Sequence, residues 1–303
     1  MGTMPVAPAP RPHPRRRAGR AADLRSDLRS DLRFDLRSDL RSDPGGDPRG
    51  DGRDAAAVPA DELRAVLGAQ GWHVRPRPGA PGGLVARDAS GTECTVDVVR
   101  VPDDPTARAA LVAHLDALAR EEEHLAAVRA VVEAGDAALA VLTDDVEGLR
   151  LDELAAARGP FSPGEAVTVL VPVAQALAAL HRTGRVHGHL DAGAVTLSPD
   201  GRAVVHPPLE PAAGTPADDV RDLARLALDL VPPPASSHPT SRGAAPGPAD
   251  ERALAALHAE LVAALRDDPE ARPAAGTFAA RCYDAAEPRP VTMPDPARLV
   301  AVA

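Results

Sequence analysis

Residues 185–197 read RVHGHLDAGAVTL, and the reading of this stretch decides the rest of the chain. It opens with His187 after two residues, places polar side chains at short offsets and closes on an apolar run rich in β-formers, the rhythm of a loop set before a strand. Yet alanine and glycine stand at several offsets where a ligand-binding loop would carry side chains. Just upstream, FSPGEAVTVLVPVAQALAALHRTG (161–184) has both ends of a helix written into it: Ser162 as N-cap, Pro163 at the first helical position, Glu165 three residues after the cap and Gly184 as the stop. Pro172 is expected to kink this helix, since it removes one backbone hydrogen bond. Further helices are expected at about 217–230 and 249–266, and a last one from near Ala274, after the break DDPEARP.

Composition excludes several kinds of chemistry. The chain has 303 residues, enough for one large or two small domains, and all 34 of its basic residues are arginine. It contains no lysine, asparagine or isoleucine, the pattern of GC-rich coding, so a mechanism that needs a lysine ammonium or an asparagine amide is closed to it. The net charge is −10, against the surplus of cations that phosphate backbones demand, so no nucleic-acid partner is expected. Residues 1–57 hold 12 Arg against 9 Asp, which leaves −13 on the remainder. Cys94 and Cys282 lie far apart and match no zinc spacing, as in a reduced intracellular chain. The start, MGTMPVAPAPRPHPRRR, has no apolar segment behind its charges, and the apolar run 166–180 is interrupted by Pro172 and Gln175 and falls short of a bilayer span. The expectation is a soluble cytoplasmic protein with no membrane contact.

Texture divides the chain. Residues 1–57 form a Pro- and Arg-rich arm containing DLRSDLRSDLRFDLRSDLRS (23–42). On a helix this repeat would stack Asp on Asp and Arg on Arg at i,i+4, with opposite charges two apart and not facing each other, so a disordered arm is expected. From Asp61, ELRAVLGAQGWHV reads as a short helix stopped at Gly71. Residues 83–101 read as a hairpin about the turn Ala89-Ser90-Gly91-Thr92. PTARAALVAHLDALAREEE (105–123) reads as a helix, and AVRAVVEAG and AALAVLTDDVEG as strands on either side of Gly135-Asp136, although the first could equally extend the helix.

In this order, VEGLRLDELAAARGPFSPGEAVTVLVPVAQALAALHRTGRVHGHLDAGAVTLSPDGRAVV, ADDVRDLARLALDL and LRDDPEARPAAGTFAA resemble the eukaryotic-type protein kinases of the bacterial serine/threonine group. The resemblance runs from about Gly71 to Pro290, diffuse at first and closer from Val146 onward. It implies an α+β fold of two lobes: a small β-rich lobe at 58–145, a mainly helical lobe at 146–285 and a tail at 286–303.

The same resemblance says which residues should carry phosphoryl transfer, and most are changed. Such kinases need a strand lysine on the α- and β-phosphates, an asparagine and an aspartate on the metal, and an aspartate to accept the substrate proton. In CTVDVVRV, Asp97 stands at the lysine position and inverts the charge. In HGHLDAGA the family's leading histidine survives as His187, while Gly188 replaces the arginine, His189 the proton acceptor, Asp191 the phosphate lysine and Ala194 the metal asparagine. Pro207, followed by Pro208 and Leu209, stands where the metal aspartate would be. The glycine-rich loop is represented only by Gly79, Gly82 and Gly83 at altered spacing, and His114 stands near the position of the lysine's glutamate partner, where without a lysine its identity should matter little. About ten residues, LEPAAGTPAD, replace the long activation segment.

What survives of the family pattern is scaffold. Asp219 is expected to hydrogen-bond the catalytic-loop backbone, and Arg272 to pair with an acid near the end of the activation segment, with Glu210 the only nearby candidate. The implied function is that of a pseudokinase: no catalysis, no cofactor, neither ATP nor Mg²⁺ expected, and a role as a regulatory scaffold for an unidentified protein partner. Three alternatives stand beside it. One is an atypical active kinase; another is a metal site on His187, His189 and His206, as opposed to a buried His187 with His189 and His206 facing solvent; the third is a decaying gene product.

Overall fold

In the computed structural model, the described residues are 58–78, 82–120, 122–135, 137–232 and 247–294. The chain divides into two units, Met1–Gly50 and Asp51–Ala303, and all described residues belong to the second. The arm at 1–57 lies outside them. The described part is a mixed α+β structure with a five-stranded sheet, a three-stranded sheet and several helices.

Helix α1 (Ala60–Ala69) opens it and stops, as its sequence predicts, before Gly71, whose φ of +86° is a left-handed conformation open to glycine. Strands β1 (His73–Pro76), β2 (Leu84–Arg87) and β3 (Glu93–Arg100) follow, then helix α2 (Pro105–Leu118) and strands β4 (Val128–Glu133) and β5 (Ala138–Asp144). The sheet is antiparallel in the order β1-β2-β3-β5-β4. The hairpin read at 83–101 is β2 and β3, with Leu84 opposite Val96 and the Asp88 carboxylate holding the turn by accepting from the Ser90 and Thr92 amides. The sequence reading did not separate β1 from the residues after Gly71.

Alternation along β3 sorts side chains onto two faces. Cys94 and Val96 pack into a small core with Leu63 and Leu67 of α1, whereas Val99, and Val141 opposite Asp97, join a second and larger core. Asp97 therefore lies on the face turned toward the larger core. Helix α2 is shorter than the expected 105–123. Its acidic end, Glu122 and Glu123 included, opposes the negative pole of the helix, and the chain instead turns back so that Ala126 N–H donates to Val205.

The larger core is built on helices. A short strand β6 (Leu149–Arg150) leads into α3 (Leu151–Ala157) and α4 (Pro163–Arg182). The Ser162–Glu165 capping box is present on both sides, and Pro172 sits inside α4 without ending it. At 20 residues α4 is long and apolar enough to cross a bilayer, longer than the run read in the sequence, but 72% of that stretch is buried inside the protein. Strands β7 (Val195–Leu197) and β8 (Ala203–Val205) complete the small sheet β6-β7-β8, and α5 (Pro216–Leu230), α6 (Pro248–Ala264) and α7 (Ala275–Ala285) pack around α4. Beyond α7 the chain is tied back to the start of α4: the Arg289 amide donates to the Gly164 carbonyl and the Thr292 amide to the Glu165 carboxylate.

Candidate functional site

The loop at 185–194 joins the C-terminus of α4 to β7 and is fixed from beneath by one carboxylate. Asp219, in the first turn of α5, is fully buried. Its Oδ2 accepts from the His187 amide at 2.8 Å and from His181 Nε2 at 2.8 Å, and its Oδ1 accepts from the Gly188 amide at 2.7 Å. A buried anion is retained only when its lone pairs are filled, and here three donors fill them. Gly188 has φ +75°, and a Cβ on it would overlap the Ala212 side chain and come within 2.9 Å of the Ala213 carbonyl oxygen. Residues 212–213 thus lie directly on the loop, in the space that a side chain at 188 would need.

The other side of the loop faces His206-Pro207-Pro208. His187 is 5% exposed and its Nε2 lies 3.1 Å from the His206 carbonyl oxygen, while His114 of α2, also buried, places Nε2 2.7 Å from the Pro208 carbonyl oxygen. A carbonyl only accepts, so both rings carry their proton on Nε2. Burial pushes both imidazoles below the ordinary histidine value. The identity of His114, expected to matter little, therefore matters: it is the donor that holds Pro208. His206 is half-buried rather than solvent-facing, with Nε2 2.8 Å from Thr196 Oγ1, and burial lowers its pKa too. His189, in contrast, does face solvent: its side chain is 92% exposed, and Nε2 is 3.6 Å from Asp191 Oδ2. Asp191 spends its Oδ1 on the Ala194 amide, capping the turn at Ala192–Ala194.

Thr95 and Asp97 share one face of the large sheet, by the alternation along β3. Arg77, just after β1, spans this face, donating to Thr95 Oγ1 at 2.9 Å and pairing with Asp145 at 2.9 Å. Its guanidinium also acts electrostatically on both Asp97 and His206. The Asp97 side chain reaches solvent, yet the protein packed about it raises its carboxyl pKa, with Arg77 opposing. Of the expected glycine loop, Gly82 and Gly83 fall in the β1-β2 connection, whereas Gly79 lies outside the described residues. The structure thus brings the 187–194 loop and the 206–208 segment together, while Asp97 lies on β3 and is related to His206 only through the charge of Arg77.

Arg272 corrects one expectation. Its partner is not Glu210, which is exposed, but Asp218 of α5, at 3.1 Å, together with the Ala217, Arg266 and Asp267 carbonyls. Asp218 is at the third position of α5 and already closes a capping box with Thr215, so one carboxylate serves both the helix start and the arginine. Arg272 fastens the turn after α6 to α5.

His187 and His206 commit Nε2 to a carbonyl and a hydroxyl, the exposed His189 lies beside Asp191, and among the described residues no three His, Cys, Asp or Glu side chains form a metal-holding group. Ala194 and Pro207 offer no side-chain oxygen to Mg²⁺, which demands hard oxygen ligands. Both cysteines are buried in apolar cores that push their thiols up to about 12, so neither is a ready nucleophile.

Two constellations escaped the sequence reading. The Arg77-Thr95-Asp145 link joins positions 18 and 50 residues apart with no local signal. Glu165 reads as a capping residue, but it also accepts from Arg158 and from the Thr292 amide. No protein-family profile matches the chain, and no curated protein matches it in sequence.

Proposed function

We propose that this chain is a catalytically silent relative of the bacterial serine/threonine protein kinases, with a two-lobed kinase-like arrangement, working in the cytoplasm as a regulatory scaffold for a protein partner. The observation that carries the reading is the Asp219 carboxylate gripping the backbone of His187 and Gly188: a buried anion organises a loop whose own side chains can do little phosphoryl chemistry. Supporting it are the antiparallel sheet with a helix between its third and fourth strands, the helix-loop-strand order around residue 187, and a β3 position occupied by an acid. Positioning and charge neutralisation are nearly all of phosphoryl-transfer catalysis. Asp97 repels a polyphosphate, and Ala194 and Pro207 provide no metal ligand.

Thermal unfolding with increasing ATP and Mg²⁺ tests the silent half of the proposal. A ligand that binds the native state must raise its melting temperature, so the expected curve is flat. A saturating rise with nucleotide overturns it. Affinity capture from the source cell tests the scaffold half, where a single stoichiometric partner that reassociates with the purified chain is expected; capture without any such partner sinks it.

A further inference from the structure

The segment after β8 is held from two sides by imidazoles, and one of these has no place for a second proton. His187 Nε2 donates to the His206 carbonyl, which leaves Nδ1 as an unprotonated lone pair. That nitrogen is buried and has no hydrogen-bond partner. In the imidazolium form Nδ1 becomes a donor, so a proton there would put both a charge and an unsatisfied N–H into a dry place, a cost that folded proteins avoid. The closed arrangement is therefore compatible with neutral His187 alone.

We propose that His187 is a pH-gated latch: neutral, it clasps the segment beginning at His206 against the 185–194 loop, and protonation of its Nδ1 releases that segment. The residues it governs are those leading to Ala212 and Ala213, which lie on Gly188, so release uncovers the loop surface. The charged and titratable groups about His187 are few. Asp219 of α5 faces it with a carboxylate already filled by three donors, one of them His181 of α4. His189 and Asp191 lie on its own loop, and His206 stands in the clasped segment. Arg185, also on the loop, is turned away to the Ala113 carbonyl beside His114. Asp219 and Asp191 favour the charged ring and His189 opposes it, but burial outweighs them, in the same direction as the geometry. For a group whose folded pKa is depressed, a histidine contributes stability above its ordinary value near 6.5, and that contribution is lost as pH falls below it.

This latch is independent of whether the fold is kinase-like, and so is its test. In the His187→Gln variant a side-chain amide can still donate to the His206 carbonyl but does not titrate. The wild-type melting temperature should fall more steeply than the variant's between about pH 7.5 and 5.5, the interval in which an ordinary histidine titrates. Exchange protection of the His206 amide, which donates to the Ala194 carbonyl within the clasp, should fall with pH in the wild type, after correction for intrinsic rates, and much less in the variant. Equal slopes for the two proteins overturn the latch. Should the variant not fold, nitrogen-15 NMR of histidine-labelled wild type decides instead: a neutral Nε2–H tautomer of His187 titrating below the ordinary value is expected. A titration at or above that value, or the Nδ1–H tautomer, refutes it.

Discussion

Replacing Asp219 with asparagine keeps the volume and removes the charge, which makes it the sharpest probe of how the 185–194 loop is held. The native carboxylate accepts three hydrogen bonds, from His187 N, Gly188 N and His181 Nε2, at 2.7–2.8 Å, and is fully buried. An amide has one oxygen and one NH2. If the oxygen takes the two donors now on Oδ2, the NH2 opposes the Gly188 amide; in the flipped orientation it opposes His187 and His181. At least one buried donor then faces a donor, costing about 1–3 kcal/mol, and the remaining bonds lose their charge assistance. A total near 3 kcal/mol corresponds to about 6–12 °C in melting temperature for a unit of this size. Asp219→Ala leaves all three donors unpaired and should cost about 3–5 kcal/mol. Calorimetry gives the total, and hydrogen exchange at the Gly188 amide reports on the loop itself, where protection should fall in both variants. An Asp219→Asn protein melting within about 2 °C of wild type, with Gly188 still protected, would show that the buried carboxylate is not what holds the loop.

Other perturbations read other parts of the structure. Gly188→Ala forces a side chain into Ala212 and a left-handed backbone onto alanine, and should lower stability by about 2–4 kcal/mol, measurable by urea unfolding. The Glu165 carboxyl is depressed from 4.5 to about 2, chiefly by the Arg158 side chain and the Thr292 amide working against desolvation. Its contribution is therefore complete above about pH 4.5 and lost as pH falls toward 2, at most about 3 kcal/mol by linkage, and Glu165→Gln should flatten the stability profile over that interval. Asp97→Lys, on a solvent-reaching side chain, should change stability by only about 0.5 kcal/mol, and titration calorimetry should still detect no ATP binding, because Ala194 and Pro207 continue to offer no metal ligand.

The parts of the fold that were legible in the sequence are those written locally. Ser162, Pro163, Glu165 and Gly184 mark the ends of α4 within 23 residues, and the β2-β3 hairpin is announced by its turn. Periodicity carries helix α2 past its actual end because it sets no penalty on an acidic C-terminal turn, whereas the helix dipole does. At the candidate site, Asp219 bonds the His187 and Gly188 amides, and its third donor, His181, leaves no signal in the spacing of the sequence. Sequence alone points Arg272 to Glu210, the acid in the segment where the resemblance puts its partner. The actual partner, Asp218, is chosen by packing of the turn after α6 against the start of α5. His114 shows the same limit, since its acceptor is a backbone carbonyl 94 residues away, and carbonyls leave no trace in residue identity.

The contact of Ala212 and Ala213 with Gly188 constrains the order in which the two places can change. Because the alanines occupy the room that any side chain at 188 would need, position 188 cannot accept a larger residue until the 209–214 segment has first been displaced or lengthened. Changes at the two places must come in that order, and the intermediate with a side chain added first is the unstable one. The loop is thereby held to glycine twice over, by its left-handed backbone and by a neighbour, so that a change at 188 alone is the costlier first step.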